Sequence, residues 1–372
     1  MRIAVIGPSR NPVAAPYAGG QERFTAILAD GLRARGHRIE LWARAGSDPM
    51  LADRLHVMPG TPDLSSVASQ DPNMPEPSFL DDQVAYLAVM RDLLCRSDID
   101  IVLNQSLHQL PLALAPALRV PVVTTLHTPP FPWMEIGAWL AGPDAHMVAV
   151  SMALRAQWET VGRVSVIPNG VDPQMFPPGP GGDHLVWAGR LTPEKGADIA
   201  ISAARAAGLP LRLAGPIADP LWFGEVIRPM LGGQVEYLGQ LADSELAQMY
   251  GAGLATLVTP CWEEPFCLVA AESQMCGTPV AGVRRGGLAE VVQGPGGVLV
   301  DPGDGVADRL ASAVTAMGAV DRHAVAESAR KRLDCARTVD GYEQLLCAAI
   351  GFNTVEVPAM CCTYASVGEP DG

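Results

Sequence analysis

Short runs of aliphatic and β-branched residues recur along the chain, each closed by a glycine-, proline- or asparagine-containing turn and followed by a stretch with apolar residues every three to four positions. The short runs read as buried strands and the longer periodic stretches as helices. Residues 2–7 form the first strand, and the next helix carries Phe24, Ile27, Leu28 and Leu32 on one face before closing at Gly36. Residues 38–44 are a second strand. The proline-rich, polar stretch 47–78 reads as irregular, and 81–95 as a helix. Strands follow at 101–103, 120–126 and 147–151, with helices at 112–118 and, capped by Ser151, at 152–160.

The second half repeats this plan without repeating the sequence. Strands are expected at 184–188, 211–214, 235–238, 256–258, 280–283 and 297–302. Helices are expected after Gly196, from a capping Asp243 to Gly251, and at 306–317 and 323–337. The alternation implies an α/β protein of two Rossmann-like domains, each with a parallel sheet, facing one another across a cleft. We place them at 1–172 and 183–337, joined by the proline- and glycine-rich linker 173–182. The stretch 353–372 has no periodicity and reads as a loose tail.

The segment Ala255–Val283 concentrates the chemistry. A strand runs into the turn Pro260–Pro265, and a helix is expected from Pro265 to a C-terminal Gly277. Glu264 and Glu272, eight positions apart, would then lie about 80° apart around the axis and about 12 Å along it. That separation excludes a close acid–base pair but suits two ends of an elongated ligand whose anionic middle rests on the helix start. Gly19 and Gly20 stand in a strand–loop–helix layout that brings backbone N–H groups to an anion. Arg190 and Lys195 stand in a second such layout, offering a planar fork and a mobile point charge. His127 ends a strand where open parallel sheets place ligands, and His108 is a cleft-lining candidate.

Composition narrows the classes. A length of 372 residues with 48% hydrophobic content fits two globular cores, and a net charge of −14 argues against nucleic acid or an anionic membrane surface as partner. Phosphate binding must therefore be local. The eight cysteines form no disulfide framework, which implies a reducing cytoplasm. Cys261, Cys267 and Cys276, and the triplet Asp98-Ile99-Asp100, are weak metal candidates better read as buried thiols and a polar strand start. The opening MRIAVIG is already a strand rather than a leader. No stretch reads as a transmembrane span, although peripheral membrane contact stays open.

The string E-P-F-x-L-x-x-x-E-x-x-x-C-G-T-P-V from Glu264 resembles the E-x7-E signature of the retaining GT-B glycosyltransferases of family 4. Three further strings are similar to that family: G-G-x-E-R at Gly19, P-N-G-V-D at Pro168 and G-R-x-x-x-x-K-G at Gly189. The resemblance implies that Glu272 binds the nucleotide ribose, with Glu264 and His127 near the donor sugar and reacting centre. Arg190, Lys195, Gly19 and Gly20 would face the donor diphosphate, joined by Phe266, Cys267 and Leu268. Cys267 stands where the family usually has glycine. Gly286 and Gly287, in a G-G-x-x-E turn, would contact sugar or phosphates, with Glu290 alternatively a first-turn charge. Residues 47–78 would form an acceptor wall, and 338–352 a helix returning to the first domain.

The implied reaction is metal-independent transfer, with retention, from a nucleotide diphosphate sugar, UDP-sugars favoured, to a hydroxyl acceptor. The acceptor could be a natural product, a lipid or a saccharide, and no cofactor beyond the donor is implied. A nucleotide-sugar epimerase of the same fold and a non-catalytic nucleotide-sugar binding protein are the alternatives.

Overall fold

The first sheet holds seven strands: β1 (Arg2–Ile6), β2 (Arg38–Ala43), β3 (Arg54–Val57), β4 (Ile101–Asn104), β5 (Val122–Leu126), β6 (His146–Ala149) and β7 (Val164–Val166). They lie in the spatial order β3-β2-β1-β4-β5-β6-β7, every pair parallel. The second holds β8 (Leu185–Ala188), β9 (Leu211–Ala214), β10 (Val235–Tyr237), β11 (Ala255–Val258), β12 (Val280–Val283) and β13 (Gly297–Val300), in the order β10-β9-β8-β11-β12-β13, again parallel. These features come from a computed structural model, which describes residues 1–73, 75–158 and 164–352. In each sheet the order reverses beside its first strand, between β1 and β4 and between β8 and β11. A crevice opens at the carboxyl ends of the strands at such a reversal.

The helices, in chain order, are α1 (Gly20–Ala34), α2 (Pro77–Leu94), α3 (Gln109–Ala113), α4 (Pro132–Ala141), α5 (Met152–Gln157), α6 (Ala197–Ala207), α7 (Pro220–Trp222), α8 (Asp243–Gly251), α9 (Leu268–Met275), α10 (Leu288–Val291), α11 (Val306–Thr315), α12 (Arg322–Leu333) and α13 (Cys335–Phe352). They cover both faces of each sheet, which is why the strands read as continuous apolar runs. Ile3 and Val5 of β1 share a core with Phe24, Leu28 and Leu32 of α1, while Ala4 and Ile6 point the other way into a core with Tyr86, Val89 and Leu93 of α2. Helix α13 crosses back to the first sheet and places Val339, Tyr342, Leu346 and Ala349 in the α1 core. Gly31 of α1 permits that approach, because a Cβ there would lie 2.6 Å from a methyl group of Val339.

Several local expectations need correcting. The 47–78 stretch is not wholly irregular: β3 pairs with β2 in it, and α2 begins at Pro77 rather than Asp81. Edge strand β3 escapes the pattern reading because only one side of it is paired and its residues are half-buried or exposed. The helix expected from Pro265 starts at Leu268, because Cys267 turns the chain with φ 83° and ψ 76°. Asp243 is the first residue of α8 rather than its cap, and the Ala242 amide is held instead by Glu245 at 2.8 Å. The helix expected over 323–337 is broken at Asp334 into α12 and α13. A series of short helical turns over 220–230, which the periodicity did not single out, connects β9 to β10. Residues 159–163, the end of the helix expected to reach Thr160, and the tail 353–372 lie outside the described residues.

Candidate active site

A cavity of ≈ 700 Å³ lies between the carboxyl ends of the two sheets and is lined from both. Gly19, Gly20, His108 and His127 reach it from the first domain; Arg190, Lys195, Glu264, Phe266, Cys267, Leu268 and Glu272 reach it from the second. These residues are far apart in the chain, and the two strand-order reversals bring them together. The walls meet where Gly20 faces Leu268: a Cβ on Gly20 would lie 3.2 Å from a Leu268 methyl group.

On the second domain, the loop after β8 carries Arg190 and Lys195. Gly196 holds this loop against β11 with φ 65°, where a Cβ would lie 2.1 Å from the Thr259 carbonyl oxygen. Trp187 and Thr259 reinforce the junction, the indole N–H donating to the Thr259 hydroxyl at 3.1 Å and that hydroxyl donating to the Gly196 carbonyl at 2.7 Å. Arg190 is half exposed and lies 3.5 Å from Glu194. The Lys195 ammonium donates to the Glu264 carboxylate, which also accepts from the Trp262 indole at 2.9 Å, and it stands 5.0 Å from the centre of the Trp262 ring. Glu264 therefore sits in the turn before α9, paired to a cation, and not on the helix with Glu272.

Among the described residues Cys267 is the one non-glycine residue with positive φ. A left-handed turn is one that glycine adopts most readily, and the helix start it creates faces the cavity. Burial pushes the Cys267 thiol up to about 12, with Glu264 adding to it, so the sulfur stays protonated. This makes it a packing group rather than a nucleophile.

Glu272, on α9, is buried and tied to Arg23 of α1 across the cleft: Arg23 Nε lies 3.4 Å from Glu272 Oε1, and the other end of the guanidinium donates to Asp243 of α8. The Tyr250 hydroxyl adds a donor to Glu272 at 3.3 Å. Burial raises the Glu272 pKa, opposed by Arg23. Burial alone would lower the Arg23 pKa, but Glu272 and Asp243 outweigh it and leave the guanidinium above its ordinary value. Tyr17 and Phe176 flank the cation, with ring centres at 5.3 and 5.5 Å. Arg23 closes the G-G-x-E-R string, and its role across the cleft is visible only in the fold. An arginine in the first turn of α1, three residues after the glycine pair, is the signal that could have marked it.

His127 follows β5 and belongs to a buried polar chain. Its Nε2 lies 2.8 Å from Gln105 Oε1, Gln105 Nε2 donates to the Thr125 hydroxyl at 2.8 Å, and that hydroxyl lies 2.8 Å from the Tyr342 hydroxyl of α13. Loss of water around the ring lowers the His127 pKa to about 3, so the imidazole is neutral at pH 7. His108 stacks on Tyr86 at 4.6 Å, and burial lowers its pKa to about 4.

Gly286 and Gly287 do not line the cavity. Their amides donate to the Glu263 carboxylate and the Glu264 carbonyl, both at 2.6 Å, so they brace the Glu264 turn from behind. Glu290 reaches across to the first domain, where its two carboxylate oxygens accept the Met152 and Ala153 amides at the start of α5, at 2.9 and 2.8 Å. Ser151 supports the same contact by donating to the Pro265 carbonyl at 2.6 Å. The described residues of 47–78 do not line the cavity; Phe79, Asp82, Tyr86 and Trp133 form its far wall instead. Asp98 and Asp100 are spent on Arg2 and Arg96 at the strand start, and among the described residues no cluster of three or more His, Cys, Asp or Glu is arranged to hold a metal ion. No helix among the described residues is long and apolar enough to cross a membrane.

Comparison with known proteins agrees with this geometry. Residues 18–175 match the family model "Glycosyltransferase Family 4" and residues 182–318 match "Glycosyl transferases group 1". The chain is 28% identical over 388 residues to a glycogen synthase of Mycobacterium tuberculosis, covering 90% of each chain. Among solved structures it is similar to a glycosyltransferase involved in avilamycin A biosynthesis, with a TM-score of 0.69 and 24% identity over 94% of this chain and 98% of that one. It is also similar to Anabaena HepE in complex with UDP-glucose, with a TM-score of 0.71 and 20% identity over 94% of this chain and 100% of that one.

Proposed function

This chain belongs to the GT-B glycosyltransferases of the family 4 type, which use nucleotide-sugar donors, and from that premise we propose that it transfers a sugar from a UDP-sugar to a hydroxyl acceptor, with retention and without a metal ion. The observation that carries the reading is the single cavity in which Arg190, Lys195 and the start of α9 stand on one wall and His127 on the other. The UDP-glucose complex of HepE supports the choice of base.

In this reading Glu272 takes the ribose hydroxyls, while Arg190, Lys195 and the glycine loop take the diphosphate. The bond from the anomeric carbon to the phosphate oxygen breaks, its electron pair stays on the diphosphate, and the cations stabilise the charge that develops. The acceptor oxygen bonds to the anomeric carbon from the same face, and its proton passes to the leaving phosphate oxygen. No enzyme nucleophile is needed. The neutral His127 orients the sugar by hydrogen bonding, because a ring this hard to protonate makes a poor general base.

The test is thermal stabilisation by a panel of UDP, GDP, ADP and dTDP sugars, repeated with Lys195→Ala and Glu272→Ala. A donor at 100 times its dissociation constant adds about 2.7 kcal/mol. One donor should shift the wild type and neither variant; the absence of any shift would overturn the reading. Conversion of the donor without acceptor would instead mark an epimerase, and binding without turnover a binding protein.

A further inference from the structure

Helix α4 is apolar on both of its sides. Met134, Gly137 and Ala138 are buried against the domain, while Trp133, Ile136 and Leu140 are half exposed and Trp139 is 77% exposed. At about 100° per residue these four exposed side chains fall within an arc of about 120°, roughly opposite the buried three. Glu135 is the one charged residue of the helix. A helix apolar all round is ordinarily covered all round, and a contiguous exposed apolar patch marks a contact surface.

The stripe cannot roll inward. A Cβ on Gly137 would already lie 3.1 Å from the Gln109 backbone of α3, so the inner face is packed to backbone contact. The loop leading into α4 is tied down by the Trp158 indole, which donates to the Thr128 carbonyl at 3.0 Å. Trp133 also lines the cavity, and its ring centre stands 6.0 Å from that of Phe79 at the start of α2. The stripe is therefore continuous with the far wall of the site. Asp82, the charged member of that wall, is spent on Arg10, whose guanidinium donates to it at 3.0 and 3.1 Å.

We propose that the acceptor is a hydroxyl compound with an extended apolar body, its hydroxyl entering the cavity past Phe79 and Trp133 and its body lying along α4. The ten residues of this helix offer a track about 15 Å long. A saccharide would need hydrogen-bond partners for its hydroxyls, and Ile136 and Leu140 beside the two tryptophans offer none. An anionic bilayer is opposed by the net charge of −14 and by a helix without lysine or arginine. A stable protein interface takes about 800 Å² from each partner, more than four side chains on so short a helix present. That the occupant is an acceptor rests on the function proposed above; the uncovered stripe does not.

The test uses the straight-chain primary alcohols butanol, hexanol and octanol, with glucose as the polar control. Calorimetry measures the binding of each, and release of the nucleoside diphosphate is followed when each is offered with the nucleotide sugar selected by the donor panel. Affinity and kcat/KM should both rise with chain length, by up to about fourfold per methylene buried. Trp139→Ser and Ile136→Ser, both at exposed positions, should flatten that rise and lower octanol affinity about tenfold, while donor binding holds. Glucose outperforming octanol, the absence of any dependence on chain length, or the same rise in both variants would overturn the proposal. Length-dependent binding without release of the nucleoside diphosphate would also overturn it, because the stripe would then be an apolar site unconnected with transfer. Co-sedimentation with phosphatidylcholine vesicles, or a dimer, that Trp139→Ser abolishes would give the stripe to a bilayer or to a second copy instead. If no nucleotide sugar binds the wild type, the proposed function falls, and the alcohol binding series alone decides whether α4 takes an apolar ligand.

Discussion

Replacing Arg23 by methionine keeps the packing against Tyr17 and Phe176 but removes the charge that holds Glu272 and Asp243 across the cleft. The three side chains are 13%, 4% and 12% exposed, so water screens them little. At the 3.4 Å separation of Arg23 Nε and Glu272 Oε1, the Coulomb energy at an effective dielectric constant of 20 is about 5 kcal/mol. Breaking a buried pair from one side typically costs about 3–5 kcal/mol, mostly from the carboxylate left unpaired. Arg23→Met should therefore lose about 3–5 kcal/mol in urea unfolding at pH 7, and adding Glu272→Gln should restore a large part of it.

The loss should also depend on pH. Glu272 already has a raised pKa in the folded protein through burial, and without Arg23 it rises further. A folded carboxyl that binds its proton more tightly than the unfolded one loses stability as pH rises through the window between the two pKa values. Arg23→Met should thus be less destabilising at pH 5 than at pH 7. Additive effects of the two substitutions, with a coupling below about 0.5 kcal/mol, together with the same loss at both pH values, would refute the reasoning.

Cys267→Gly should be more stable than Cys267→Ala by about 1 kcal/mol, since alanine keeps the left-handed strain that glycine relieves; equal urea midpoints would remove the strain argument. Glu290→Ala strips the Met152 and Ala153 amides of their acceptor, and should lower stability by about 1 kcal/mol and raise the donor KM, with Glu290→Gln recovering part of both. His127 is folded in its neutral form with a pKa of about 3, so stability is full above the unfolded histidine value near 6.5 and falls at up to about 1.4 kcal/mol per pH unit below it. His127→Gln should flatten that slope between pH 6.5 and 4, read as urea midpoints against pH.

The sequence by itself determined the strands, most of the helices and the chemistry-bearing strings, because burial on two faces writes continuous apolar runs and the turns between them need glycine and proline. Lys195, Glu264, Glu272 and His127 could be named from those strings. Edge strand β3 and the true start of α9 were not legible, since a half-exposed strand leaves little pattern and a left-handed cysteine is not written in any local preference. Only the tertiary structure decided which partners these residues find. Arg23 meets Asp243 across 220 positions, and Glu290 caps a helix of the other domain instead of facing the cavity. Such pairings depend on where two sheets reverse their strand order and how the returning α13 ties the domains together. Those are properties of chain topology, and no local stretch of sequence encodes them.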